Sequence, residues 1–226
     1  MRSRGFLFAQ NKIAFPQAER VEKSGMRTVG RAFAVGLALL LGACVGGSAP
    51  ADNYYRLELP ITSVFPSPLL PGVVEVGRFA TEGLTGERSL LYSYRDKPDQ
   101  VQRYGYQLWV EPPPLLLQNQ LIRLLREAHV APMVVTADLR LSPDFLVEGR
   151  LRRFEQIAGA LPSVVVEMDL GVVRLHGGTL VLLGNYRTEI RMTGDQPADA
   201  VRAYQGAVVE LFNRFLADLA QKRVDR

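Results

Sequence analysis

The feature that most constrains the fold is a two-residue alternation of apolar and polar side chains in the second half of the chain. Apolar residues occupy most alternate positions of residues 145–151, 164–172 and 180–192, and charged residues lie between them. Successive side chains of a β-strand point to opposite faces of a sheet, so this pattern predicts strands with one buried and one wetter face. We therefore expect three long antiparallel strands here, with a turn at Gly177-Gly178 before the last one.

Two other segments carry apolar residues at helical spacing. The first follows three prolines at 112–114, which can open a helix but cannot sit inside one. Its apolar face consists of Leu117, Leu121, Leu124, Leu125 and Ala128, and that of the second consists of Val201, Tyr204, Val208, Leu211, Phe212, Phe215 and Leu219. The spacing predicts amphipathic helices over residues 113–128 and 197–223.

The first half of the chain shows shorter strand patterns separated by turn-forming residues. We predict strands over residues 54–59, 73–79, 90–94 and 104–109, an extended loop at 61–71, a polar loop at 81–88 and a turn at Lys97-Pro98-Asp99. The whole pattern predicts an α+β fold class. In it, a mostly antiparallel sheet carries two amphipathic helices packed on one face, within a single domain of residues 54–226.

An apolar segment near the N-terminus indicates export from the cytoplasm. Residues 32–41 are uncharged and follow Arg27 and Arg31, as in a secretory signal. The run is shorter than the roughly 20 residues that a membrane-spanning helix needs. It ends in Leu41-Gly42-Ala43-Cys44, which resembles the lipobox of bacterial lipoproteins, whose cysteine is acylated and becomes the N-terminus. We predict a lipoprotein signal peptide over residues 26–43 and lipidation of Cys44, with a buried free thiol as the alternative.

The segments around this signal also change the charge that matters. Residues 1–25 include Glu19 and Glu22 and precede a second methionine, Met26, so we predict that they are a non-native N-terminal extension. Residues 44–53 are small and flexible, as expected of a lipidated tether. Removing the 7 basic and 2 acidic residues before Cys44 from totals of 27 and 23 leaves 20 and 21, a net charge of −1. The charge therefore gives no support for a nucleic-acid partner.

The remaining chain shows no recognisable catalytic grouping. Its histidines, His129 and His176, accompany no nucleophile motif, and an acylated Cys44 leaves no thiol for a disulfide or a metal site. Glu167 and Asp169 lie on one side of a predicted strand and could act as acid and base, although such charges are more typical of an exposed sheet face. We predict a protein that is not an enzyme, with no cofactor and no metal site.

Two polar segments are candidates for contact with a partner or ligand. The basic run at residues 150–153 (RLRR) fits a solvated strand face paired with Glu148 and Glu155 better than a patch for an anionic ligand or a partner. The loop at residues 81–88 is the other candidate, because loops carry binding residues more often than cores do.

The order of these segments resembles that of the ABC-type transport auxiliary lipoproteins. The resemblance covers almost all of residues 44–226. In that family a Trp-Ala-Glu-Pro motif, often preceded by arginine, leads into the first helix. Trp109, Glu111 and Pro112 match the motif, while Leu108 and Val110 replace the arginine and the alanine.

The resemblance implies a periplasm-facing accessory subunit of a transporter that moves lipids or other hydrophobic molecules between the two envelope membranes. The implied partners are a mammalian-cell-entry (Mce) domain protein and the ABC permease and ATPase of the same system. We expect partner contacts near Thr81, Arg88, Trp109, Glu111 and Pro112. Val45 follows the lipidated cysteine where aspartate would signal inner-membrane retention, so we expect an anchor in the outer membrane, facing the periplasm.

Two alternatives to this adaptor role stay open on the sequence alone. One is a direct lipid binder, in which the sheet and its helices enclose an acyl chain. The other is a purely structural envelope lipoprotein. The sequence is also compatible with a homo-oligomer.

Overall fold

A computed structural model describes residues 50–60 and 64–222. The predicted extension, the signal peptide, Cys44 and most of the tether lie outside the described residues. Within the described ranges the chain forms nine strands and two α-helices. They are β1 (Asn53–Tyr55), β2 (Val73–Val76), β3 (Ala80–Thr81), β4 (Ser89–Tyr94), β5 (Lys97–Trp109), α1 (Pro113–Glu127), β6 (Met133–Val135), β7 (Phe145–Ala158), β8 (Ser163–Arg174), β9 (Thr179–Arg191) and α2 (Pro197–Gln221).

Strand β7 lies at the centre of a single mixed sheet. On one side it pairs with β8, which pairs with β9, and both pairings are antiparallel as predicted. On its other side β2, β3 and β4 follow one another along β7, and all three run parallel to it. Beyond them, β5 pairs with β4 in antiparallel orientation, whereas β1 and β6 are parallel to β5 and β2. The predicted α+β class is confirmed, but the sheet contains parallel pairs that were not expected.

The helices and the alternating apolar residues of β7, β8 and β9 form one core. Side chains from α1, α2 and the inner face of the sheet belong to the same buried cluster. Two glycines of this face leave room for aromatic rings. A Cβ on Gly149 would lie 2.7 Å from carbons of the Phe79 ring, and one on Gly184 would lie 2.6 Å from the Tyr186 ring. The absence of a side chain at these two positions therefore allows Phe79 and Tyr186 to pack flat on the sheet.

The strand predicted over residues 54–59 is wrong beyond Tyr55. Leu57 and Leu59 are buried, as their alternation requires, but their backbone does not join the sheet. The Leu59 N–H instead donates to Gln120 Oε1 at 3.2 Å, and its carbonyl accepts a hydrogen bond from Arg123. Both partners are on α1, so the alternation predicted burial correctly but not the hydrogen-bonding partner.

The predicted turn at Lys97-Pro98-Asp99 is also wrong, because these residues begin β5. Lys97 pairs with Tyr94, which leaves Arg95 and Asp96 as the turn. Proline is tolerated in β5 here because the side of the strand away from β4 has no partner until β1 reaches Gln107. The short strand β6 was not predicted, and α2 ends at Gln221, two residues earlier than expected.

Candidate functional site

The tryptophan of the predicted contact motif is a core residue. Trp109 closes β5 and is 1% exposed. Its ring lies 5.4 Å, centroid to centroid, from Phe154 of β7 and also 5.4 Å from Tyr204 of α2. Trp109 therefore joins the sheet to the second helix and fixes the position of the residues that follow it.

The loop at residues 81–88 meets the motif through Arg88. The Trp109 N–H donates to the Arg88 carbonyl at 2.7 Å, and Arg88 Nε donates to the Trp109 carbonyl at 3.0 Å. The guanidinium also lies 5.3 Å from the centre of the Tyr54 ring, within the range of a cation–π interaction. Beside them, the Val110 N–H donates to the Tyr55 carbonyl at 2.9 Å. We call residues 81–88 and residues 110–112, which lie around the buried Trp109, the junction surface.

The end of the motif sets the start of α1. Pro112 is the residue before the helix, and its carbonyl accepts from the N–H groups of Leu115 and Leu116 at 3.0 and 3.1 Å. Glu111 is half-buried and accepts a long hydrogen bond of 3.4 Å from Asn119. Pro112 therefore has a structural role, while the Glu111 carboxylate is the most accessible functional group of the motif.

Ion pairs fix both ends of the loop. Arg150 of β7 pairs with Glu82 at 2.6 Å, and Arg103 of β5 pairs with Glu87 at 2.8 Å. Between these ion pairs, a short 3-10 turn, Gly83–Gly86, lies next to α1. Each exposed pair contributes only about 0–1 kcal/mol, but together they restrict the loop.

Thr81 lies at the other end of the loop from Arg88. Its hydroxyl oxygen is buried and has no hydrogen-bond partner within the part of the chain that the structure describes. The structure thus brings Arg88 next to Trp109, and Glu111 and Pro112 follow Trp109 in the chain, while Thr81 pairs with Leu151 of β7 at the other end of the loop. Their contact with a partner stays a prediction.

The residues considered for catalysis have separate partners. Glu167 Oε2 lies 3.7 Å from Arg187 Nε, and Asp169 Oδ2 accepts from Arg152 Nε at 2.7 Å. The Arg152 hydrogen bond lowers the pKa of the Asp169 carboxyl below its usual value. Two carboxylates that are each held by their own arginine are a poor acid and base pair.

The histidines do not complete a site either. His129 follows α1 with a positive φ of 55°, and His176 Nδ1 lies 3.6 Å from Asp144 Oδ1. Within residues 50–60 and 64–222, no three His, Cys, Asp or Glu side chains are grouped so as to hold a metal ion. In the same residues, no helix is both long enough and apolar enough to cross a membrane.

The arginines of residues 150–153 are paired, but not quite as predicted. Arg153 Nε donates to Glu155 at 3.1 Å, whereas Arg150 and Arg152 bond to Glu82 and Asp169 rather than to Glu148. Glu155 is almost fully buried and also accepts from Ser93 at 3.2 Å. A β-bulge between Leu151 and Arg153 breaks the alternation that the prediction had assumed.

Within the described residues, the cavity between the two helices is too small for an acyl chain. The cavity lined by Leu59, Leu124 and Phe212 has a volume of about 10 Å³. Two larger clefts, of about 330 and 340 Å³, are open and lie on the polar face of the sheet. Both linings mix charged and apolar side chains: Arg95, Glu189 and Leu161 in the first, and Arg150, Asp169, Leu180 and Leu183 in the second. These observations do not favour the lipid-binder alternative.

Solved structures share the fold at low sequence identity. A Xanthomonas campestris protein from a family of unknown function aligns with a TM-score of 0.66 and 14% identity, over 75% of this chain and 96% of that one. A second, uncharacterised protein aligns with a TM-score of 0.57 and 19% identity, over 76% and 99% of the two chains. The comparison with curated proteins gives no match.

The sequence itself matches a family model. The model describes an ABC-type transport auxiliary lipoprotein component and matches residues 55–215, from β1 to within α2. This range contains the whole loop at residues 81–88 and the Trp109–Pro112 motif. Membership of a lipoprotein family implies a membrane-anchored protein of the cell envelope. The chain belongs to the family of ABC-type transport auxiliary lipoprotein components.

Proposed function

We propose that this protein is a non-enzymatic lipoprotein that docks an Mce-type ABC transport system at the periplasmic face of the outer membrane. The system would move lipids or other hydrophobic molecules between the two membranes. The observation that carries the proposal is the family match, which begins at Tyr55, a short tether after Cys44. In this proposal residues 26–43 are the signal peptide, acylated Cys44 is the anchor, and the rest of the chain is the docking domain.

The junction surface supports a docking role because it is exposed yet rigidly held. Trp109 packs beneath it, and the two ion pairs fix the ends of its loop. Glu82 and Arg88 are exposed there, so both charges are accessible to a partner. Attachment through a lipid would raise the effective concentration of this surface for a partner at the same membrane.

Crosslinking in living cells tests the proposal. A photoreactive residue is placed at Glu82 or Arg88, and a control is placed at Leu183, which is 66% exposed on β9. We expect an Mce-domain protein to be recovered by mass spectrometry from the loop positions and not from Leu183. Recovery of only abundant envelope proteins from every position would contradict the docking role and leave the family assignment intact.

A matched pair of substitutions tests the contribution of Arg88. Arg88→Lys keeps the positive charge but replaces the planar guanidinium, which bonds the Trp109 carbonyl through Nε. Arg88→Glu reverses the charge. If docking depends on charge, Arg88→Lys retains copurification with the transporter and Arg88→Glu loses it, while circular dichroism shows both variants folded. If both variants copurify with the transporter as well as the wild-type protein does, Arg88 is excluded from the contact.

A further inference from the structure

A large bulge in β5 exposes one tyrosine in an unusual backbone conformation. Between the pairs Ser89–Leu108 and Leu91–Arg103, β5 advances five residues while β4 advances two. The extra residues of β5 include Tyr106, which is 47% exposed and has a φ of 61°. Bulges of this kind redirect side chains and are common next to functional sites.

The conformation of Tyr106 is costly for a tyrosine. A left-handed backbone is unfavourable for an L-residue, whereas glycine adopts it freely and asparagine tolerates it. The side chain at this position gains little from burial, because nearly half of it is exposed. Strain of this kind clusters at functional sites, so it points to a role for the exposed ring.

The other exposed tyrosines lie on the same group of strands, Tyr54 near Tyr106 and Tyr94 at the turn end of the β4–β5 hairpin. Among the described residues, the exposed tyrosines are Tyr54 (53%), Tyr94 (40%) and Tyr106, and they belong to β1, β4 and β5. Of the exposed leucines, Leu180 and Leu183 belong to β9, at the other side of the sheet. Tyr54 pairs with Leu108, so Tyr106 precedes the partner of Tyr54 by two residues on the neighbouring strand.

The chain that connects to Cys44 leaves the fold at this same edge. Asn53, the first residue of β1, is nine residues from Cys44. Nine residues span at most about 30 Å when extended, and about 15–18 Å on average as a flexible chain. Strand β9 lies five strand positions away from β1, which is about 24 Å across the sheet. A lipid on Cys44 would therefore hold the β1–β5 edge closer to the membrane than the β9 edge.

The charges of this edge suit uncharged or zwitterionic headgroups. Arg103 and Glu87 neutralise each other. The Tyr54 ring lies under the Arg88 guanidinium, and its hydroxyl donates to the Asp52 carboxylate at 3.0 Å, so Arg88 and Asp52 place one charge of each sign beside this ring. Tyrosine has an apolar ring and a polar hydroxyl, and it is enriched where membranes meet water for that reason. Arginine can bind the phosphate of a headgroup through charge-assisted hydrogen bonds.

We propose that Tyr54 and Tyr106 form a lipid-contact surface that inserts at the headgroup level of the anchoring membrane. This inference rests on the proposed lipidation of Cys44. The contact orients the domain, with β1 and β5 toward the bilayer and β9 away from it. A protein partner on these tyrosines is the competing occupant.

The test uses the full lipidated chain in phosphatidylcholine vesicles. Cys44 is the only cysteine, so after its acylation an introduced cysteine can be labelled uniquely with the environment-sensitive fluorophore NBD. We label Asn53→Cys, Tyr106→Cys and, as a control, Leu183→Cys. We expect headgroup spin-labelled phosphatidylcholine to quench the labels at 53 and 106 at least about threefold more than the label at 183, since headgroup-level residues are in reach of the quencher.

A second comparison separates tyrosine contact from mere closeness of the tether. The label stays at Asn53→Cys, and Tyr54→Ser with Tyr106→Asn is added. Asparagine tolerates the positive φ, so the bulge is expected to remain folded. A fall in quenching toward the level of the Leu183 control supports the proposal, and unchanged quenching refutes it.

The remaining outcomes have distinct meanings. If the label at 106 is not quenched in vesicles, and its fluorescence changes only when the transporter is added, the tyrosines contact a protein partner and the lipid contact is overturned. Equal quenching at 106 and 183 in vesicle-bound protein would overturn it too, while anchoring would stand. A wild-type protein that carries no acyl chain and does not stay with the vesicles would instead refute the anchor on which the proposed function depends, and the lipid contact with it.

Discussion

Replacing Gly149 with alanine should destabilise the fold through a single contact. The new Cβ would lie 2.7 Å from three carbons of the Phe79 ring, whereas ordinary contacts begin at 3.4 Å. The ring, which is 3% exposed, would have to move by about 0.7 Å within a packed core. Phe79 directly precedes Ala80 and Thr81, so this movement reaches the start of the loop at residues 81–88.

The magnitude follows from two opposing effects. Alanine gains about 0.5–1 kcal/mol over glycine in a strand, whereas overpacking costs about 1–3 kcal/mol. We expect a net loss of about 1–2 kcal/mol, which lowers Tm by about 2–8 °C for a domain of this size. Gly171→Ala is the matched control, because its Cβ would lie 3.6 Å from Leu183 in ordinary contact, and it should be neutral or slightly stabilising.

Urea and thermal unfolding followed by circular dichroism measure both effects. Adding Phe79→Leu to Gly149→Ala should recover part of the loss, with a coupling energy of about 0.5–3 kcal/mol. Equal stability of Gly149→Ala and Gly171→Ala would refute overpacking against the Phe79 ring. A double variant no more stable than additivity predicts would refute it too.

Three further predictions concern separate parts of the molecule. Tyr186→Phe removes the hydrogen bond to Asp218 Oδ2 at 2.9 Å and should cost about 1 kcal/mol in urea unfolding at neutral pH. The pKa of the Tyr186 hydroxyl is raised, first by burial and then by Asp218. The stability that the protonated hydroxyl contributes is therefore lost as the pH rises above about 10, and Tyr186→Phe should lose less stability than the wild type over that range. The pKa of Asp169 is lowered, so Asp169→Asn should reduce the loss of stability as the pH falls below about 4. Cys44→Ser should move the protein from the detergent phase to the aqueous phase on phase separation, whereas Ser48→Ala in the tether should not; an unmoved Cys44→Ser variant would contradict the anchor.

The second half of the fold could be predicted because its signals are local. The alternation in β7, β8 and β9 defines both the strands and their buried face, and hairpin connections make antiparallel pairing the natural outcome. The first half could not be predicted equally well. Leu57 and Leu59 alternate like a strand, yet the Leu59 backbone bonds to side chains of α1, about sixty residues later in the sequence. The alternation of apolar and polar residues indicates which side chains are buried, but not which groups the backbone will hydrogen-bond.

The candidate site, too, could be predicted only in part from the sequence. The Trp109 motif and the loop at residues 81–88 were identified from sequence, but their direct contact through Arg88 depends on the register of β4 and β5. That register contains the bulge at Tyr106, for which Gly105 was the only local sign. The indole of Trp109 was expected near a partner, and it lies in the core because α2 supplies Tyr204 from the far end of the chain.

The parallel strands β2, β3 and β4 have a consequence for how the protein is made. All three need β7 as a partner strand, and Val74 pairs with a residue 71 positions later, Phe145. Long-range parallel pairing forms slowly, and unpaired strand edges promote aggregation. Until β7 has been synthesised, the first half of the chain therefore has exposed strand edges and needs protection. We expect a chain truncated before Phe145 to stay sensitive to protease within residues 73–94, a sensitivity that the complete chain should lose in one step.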